Sequence, residues 1–157
     1  MSVTTTTPLY QLYVGVDISA RTFSAALLNP QSQPEKSEDF AQSVEGYQRF
    51  QTKLLTRQPI PASILIVMEA TGTYWITLAT LLKHSGFVVS VVNPMQAHNF
   101  IRSLPRQAKN DQLDAQGLAR LAQALKPEGW APPPKIYQQL QQRLAQRVSL
   151  MDLRQQV

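Results

Sequence analysis

The chain has 157 residues, of which 43% are hydrophobic and 16% charged. That length suits one domain with a modest appendage, and the apolar content excludes a charge-driven disordered chain. Cysteine is absent, which removes thiol catalysis, thiolate zinc sites and a disulfide scaffold, while a net charge of +5 favours an anionic partner, nucleic acid before a membrane surface.

Residues 1–8 read as a frayed tail with neither the basic nor the apolar region of a signal peptide. From Leu9 the pattern changes. Leu12, Val14, Val16 and Ile18 alternate with Tyr13, Gly15, Asp17 and Ser19, which is strand period. After a polar break at 19–21, residues 22–28 predict a second strand, so the two form a hairpin. Residues 36–40 predict a third strand. Ser43 is a good helix N-cap, and Val44, Tyr47, Phe50 and Leu54 recur at helical spacing over 44–56. Pro59 and Pro61 end that helix.

The apolar run 63–68 predicts a central strand covered on both faces, with Glu69 at its end. Thr71 or Thr73 is expected to cap a helix carrying Trp75, Leu78 and Leu82 that stops at Gly86. Another buried strand over 87–92 closes at Asn93-Pro94, and a short helix is expected over 95–103. Arg102, Arg106 and Lys109 then follow with no acid between them. A helix is expected over 111–125. Pro132, Pro133 and Pro134 make 131–134 a stiff linker. In the last segment, 135–157, Tyr137, Leu140, Leu144, Val148 and Met151 recur close to a coiled-coil seam.

Four of the 10 acids occupy unusual places. Asp17 lies on the strand face opposite Val14, Val16 and Ile18. Glu69 ends a strand so apolar that an unpaired carboxylate there is costly. At about 100° per residue, Asp111, Asp114, Leu118, Leu121, Ala122 and Leu125 share one helical stripe, so both aspartates face the core rather than solvent. Each acid also has an ordinary reading: a strand-end turn residue for Asp17, capping chemistry for Glu69, complements to a helix dipole for Asp111 and Asp114. Their joint occurrence favours a shared site. Carboxylate oxygens from separate elements suit Mg²⁺ or Mn²⁺, and two such ions can flank a phosphodiester. His84 and His98 have no partner at metal-ligand spacing and read as ordinary histidines. Trp75 and Trp130 read as core residues, and Ser19 as a turn hydrogen bonder.

The segments Gly15-Val16-Asp17-Ile18-Ser19, Glu69-Ala70-Thr71-Gly72-Thr73-Tyr74, Asn93-Pro94 and Lys109-Asn110-Asp111-Gln112-Leu113-Asp114-Ala115 together resemble the DEDD transposases of the insertion sequence 110 family, which include Piv-type DNA invertases. The resemblance covers about residues 9–157. It implies an α/β, RNase H-like domain similar to RuvC over 9–130, with a mixed sheet, helices on both faces and a helical arm after it. It implies that Asp17, Glu69, Asp111 and Asp114 are the catalytic, metal-binding acids, with two Mg²⁺ or Mn²⁺ ions. Arg102, Arg106, Lys109, Thr71, Thr73 and Tyr74 are the expected nucleic-acid contacts. The implied partners are DNA, a structured bridge RNA and a second copy through the arm, without a membrane, in a bacterial or archaeal cytoplasm. Members of the family continue into a C-terminal domain carrying a serine nucleophile, so residues 1–157 are expected to be a catalytic half, incomplete for recombination. Two other classes remain open: a non-catalytic nucleic-acid-binding and dimerisation module, and an actin-like ATPase fragment. Metal titration separates the first, and nucleotide binding without nucleic acid separates the second.

Overall fold

The computed structural model describes residues 9–105 and 114–131, together with the isolated positions 139, 142, 143 and 146. The tail over 1–8, the linker over 132–134 and the seam of the helical arm lie outside the described residues, as do Arg106, Lys109 and Asp111.

Among the described residues, five strands form one mixed sheet in the order β3-β2-β1-β4-β5. The strands are β1 (Leu12–Ile18), β2 (Thr22–Leu28), β3 (Glu38–Ala41), β4 (Ile64–Glu69) and β5 (Val88–Val92). The first three are antiparallel neighbours, because short loops join them. β4 runs parallel to β1 and β5 parallel to β4, each reached through a helical crossover. The helices are α1 (Val44–Arg57), α2 (Trp75–His84), α3 (Pro94–Ser103) and α4 (Ala115–Leu125). This is the mixed sheet with helices on both faces expected of an RNase H-like domain. Among the described residues, no helix is long and apolar enough to cross a membrane.

Strand alternation divides the core in two. Leu12, Val14 and Val16 join Phe23, Ile64, Ile66 and Met68 beneath α1 and α2. Tyr13, Leu28, Leu65, Val67 and Val92 face α4, which contributes Leu118, Ala119, Leu121 and Ala122. The α4 face also has a glycine by necessity. A Cβ on Gly15 would lie 2.0 Å from the Ala115 carbonyl oxygen and 2.3 Å from the Ala119 nitrogen. The backbone of α4 therefore lies directly on β1, at a distance that admits no side chain.

Several expectations shift at their edges. β3 starts at Glu38 and ends at Ala41, two residues later than the pattern suggested at its start. α2 is capped by neither threonine: its first residue is Trp75, and Tyr74 occupies the cap position with no side-chain hydrogen bond. Leu125 is 46% exposed, so the core stripe of α4 ends one turn sooner than its periodicity implies. Trp75 and Trp130 are half-buried and meet edge to face, with ring centroids 5.5 Å apart.

Candidate functional site: acids at the carboxyl ends of β1 and β4

Alternation puts Asp17 on the α4 face of β1, in phase with Tyr13 and Gly15, and Glu69 on the same face of β4, in phase with Leu65 and Val67. The parallel register pairs Gly15 with Val67 and Val16 with Met68, so the next step sets Asp17 alongside Glu69. In the antiparallel direction Asp17 pairs with Ser24, and Ser24 with Asp39. One polar row thus crosses the sheet: Asp39, Ser24, Asp17, Glu69. The Ser24 hydroxyl is hydrogen-bonded to the Asp39 carboxylate.

The third acid arrives on α4. Asp114 is the N-cap of that helix, in extended backbone, and its Oδ1 accepts the Gly117 N–H at 2.8 Å. This corrects the expected helix over 111–125 at position 114: Asp114 is extended and α4 begins at Ala115, while 111–113 lie outside the described residues. Asp114 therefore stands at the helix entrance with one oxygen committed to capping. A capping aspartate and a first-turn aspartate share the same periodicity, which is why the stripe could not tell them apart. Close contact at Gly15 brings that entrance over the end of β1.

Asp17 responds to its surroundings. Asp17's carboxyl is pushed above its usual range, first by desolvation, then by the charge of Glu69 and then by that of Asp114. Asp17 keeps access to solvent, while Glu69 and Asp114 are half-buried. Among the described residues no three acids or histidines are close enough together to hold a metal ion as placed. The fourth expected acid, Asp111, lies outside the described residues. The donor set is all carboxylate oxygen, which suits a hard divalent cation. Mutual repulsion among empty carboxylates is what such a cation would relieve.

Four of the other expected contacts fall among the described residues. Thr71, Thr73 and Tyr74 are exposed on the loop that follows Glu69, where Gly72 adopts a φ of +64°. Arg102 is exposed in the last turn of α3, beside a pocket of about 480 Å³ lined by Met95, His98 and Asn99. His98 and His84 are exposed. The Ser19 hydroxyl donates to the Thr22 carbonyl at 2.9 Å, so it serves the β1–β2 turn. Two contributors were not anticipated: Gly15, and Gln42 at the end of β3. A glycine in a strand adds nothing to an apolar pattern. A lone glutamine after a short strand carries no spacing signal.

The fold and the acids at its strand ends define an RNase H-like, carboxylate-bearing domain. A family model described as "Transposase", that of the DEDD transposases of the insertion sequence 110 type, matches residues 14–157, and the chain belongs to that family. It is 30% identical over 120 residues to the pilin gene-inverting protein of Moraxella bovis and 29% identical over 120 residues to that of Moraxella lacunata. In each case the match covers 76% of this chain but only 37% of the relative. Among solved structures it is similar to Thermus thermophilus RuvC, at 12% identity and a TM-score of 0.45, covering 82% of this chain and 89% of that one.

Proposed function

We propose that this chain is the acid-bearing domain of a DNA transposase or invertase, acting on the phosphodiester backbone. The observation that carries the reading is the position of Asp17 and Glu69 on adjacent strand ends beneath the Asp114 cap of α4, with Asp17's carboxyl pushed above its usual range first by desolvation and then by the charges of Glu69 and Asp114. Asp17, Glu69, Asp111 and Asp114 would hold Mg²⁺ or Mn²⁺, in two sites. Bound there, the metal would supply Lewis-acid polarisation of a backbone phosphate. Asp17 and Glu69 would act from adjacent strand ends, each paired on its outer side, with Ser24 and Val92. Asp114 contributes the oxygen that is not capping α4. Arg102, with Arg106 and Lys109, neutralises backbone charge irrespective of base sequence. Thr71, Thr73 and Tyr74 contact the strand beside Glu69.

The Moraxella relatives are named for inverting a pilin gene, which supports a recombination reaction on DNA for the whole protein. A bridge RNA, a second copy joined through the helical arm and a serine nucleophile from a further domain belong to the same proposal. Calorimetry with Mg²⁺ and Mn²⁺ tests its core. The wild type should bind, and its melting temperature should rise by mass action, by about 2.7 kcal/mol of stability at 100 times Kd. Asp17→Asn and Glu69→Gln should lose most of this. Thermograms identical for wild type and Asp17→Asn would overturn the shared site and favour a non-catalytic nucleic-acid-binding module.

A further inference from the structure

We infer that Gln42 is a positioning residue that fixes the two loops following the acid-bearing strands against each other, and that Tyr47 holds it in place. The inference rests on Asp17 and Glu69 being metal ligands. The β1–β4 ladder stops at Val16 and Met68, just short of both acids. Beyond that point each acid is paired only on its outer side, Asp17 with Ser24 of β2 and Glu69 with Val92 of β5, so the direct spacing between β1 and β4 passes to the loops that follow.

Gln42 reaches both loops. Its backbone N–H donates to the Arg21 carbonyl at 2.8 Å. Its side-chain Nε2 donates to the Ser19 carbonyl at 3.0 Å, two residues past Asp17. The same nitrogen makes a longer contact of 3.5 Å with the Tyr74 carbonyl, at the far end of the loop that begins at Glu69. Two carbonyl partners require the amide nitrogen, which leaves Oε1 as the acceptor for a hydroxyl. Tyr47 supplies that hydroxyl, donating to Oε1 at 2.8 Å.

Tyr47 is itself anchored. It is 6% exposed, and its ring stacks on Phe23 with centroids 6.1 Å apart. Its helix starts at the Ser43 cap, whose hydroxyl accepts the Gly46 N–H at 3.1 Å. Gly46 lies so close to β3 that a Cβ there would sit 1.9 Å from the Ala41 carbonyl oxygen. Gln42 lies between those two fixed points. The linkage runs from the aromatic core through one phenol and one amide to the backbone behind both acids.

A glutamine that merely fills a strand–helix junction would affect stability and leave ligand geometry alone. Metal affinity separates the two roles, because residues behind metal ligands commonly influence affinity about 10–100-fold. Mn²⁺ binding to the full chain should weaken about 10-fold in Gln42→Met, which has no hydrogen-bonding group, and in Gln42→Glu, which offers no donor to two carbonyls. Tyr47→Phe, which removes one hydroxyl, should weaken it about 2–3-fold, and amides near Ser19 and Tyr74 should exchange faster in all three. A folded Gln42→Met that binds Mn²⁺ as the wild type does would overturn the proposal. If the Gln42 variants do not fold, Tyr47→Phe decides: unchanged affinity and unchanged exchange overturn it, and a loss of both supports it. A wild type that binds no Mn²⁺ overturns the carboxylate site and the linkage together, an outcome distinct from loss of the linkage alone.

Discussion

The two faces of the sheet are built on opposite principles. Beneath α1 the packing is by volume: Phe23, Phe40 and Phe50 lie within 5.1–5.3 Å of one another, centroid to centroid, and each is almost fully buried. Beneath α4 the packing is by closeness: the backbone of Ala115, Leu118 and Ala119 faces Gly15, and helix backbone rests on strand backbone. The first arrangement contributes apolar area. The second contributes position, because a helix brought this near delivers its N-cap to the end of β1. Stability and chemistry are therefore assigned to different faces, and substitutions should separate them.

The largest expected effect is on the aromatic face. Phe50→Ala should lower unfolding stability by about 3–5 kcal/mol, measured by urea denaturation, through lost transfer energy and a residual cavity. It should leave the titration of Asp17 unchanged as long as the chain is folded. Gly15→Ala should cost about 1–3 kcal/mol or more, since the added methyl meets helix backbone that can yield only by moving α4 away. Unlike Phe50→Ala, it should also bring the Asp17 carboxyl back towards its ordinary range, followed by carboxyl-carbon NMR. If Gly15→Ala left that titration unaltered, the division between the faces would fail.

Smaller effects sharpen the same contrast. Asp114→Ala should cost about 1 kcal/mol through the lost cap, whereas Asp114→Asn, which caps equally well, should cost almost nothing. Both should lower Asp17's affinity for its proton, because both remove the charge. Asp17→Asn should also have a small effect, under about 1 kcal/mol at a site open to water. Its sign follows from linkage. A raised carboxyl means that the folded chain holds that proton more tightly than the unfolded chain. Stability from this group is therefore greatest on the acid side and falls as pH rises through the raised value. The Asn variant should lack that decline and be slightly the more stable at neutral pH, which urea midpoints across the acid range would show.

Much of this was legible in the residues alone, for reasons that differ by element. β1 and β4 declare themselves through alternation and an unbroken apolar run, and α1 through Ser43 and its periodic apolar positions. Asp17 and Glu69 stand out because a charge at the end of such strands interrupts a strong pattern. The start of α4 was not legible, because Asp114 as a cap and Asp114 as a first-turn residue produce the same spacing. Tyr74 in the cap position of α2 was hidden by two better capping residues beside it. Gly15 and Gln42 act through distances between segments remote in the chain, and no local period records those.

The segment leaving α4 has a consequence for how copies of this domain meet. β5 is the outer strand on its side of the sheet. The Trp130 N–H donates to the Val89 carbonyl at 2.6 Å, and the Ser90 hydroxyl reaches the Pro127 and Glu128 carbonyls at 2.8 and 2.7 Å. The chain thus lays its own strap along that rim. The opposite rim, β3, is only four residues long and carries Glu38 and Asp39, with Arg49 and Lys53 paired to Glu38. A bare strand rim is a template on which another chain can add. Here the Val89 carbonyl on one rim is taken by the chain's own Trp130 and the other rim is short and charged, so both disfavour growth by strand addition.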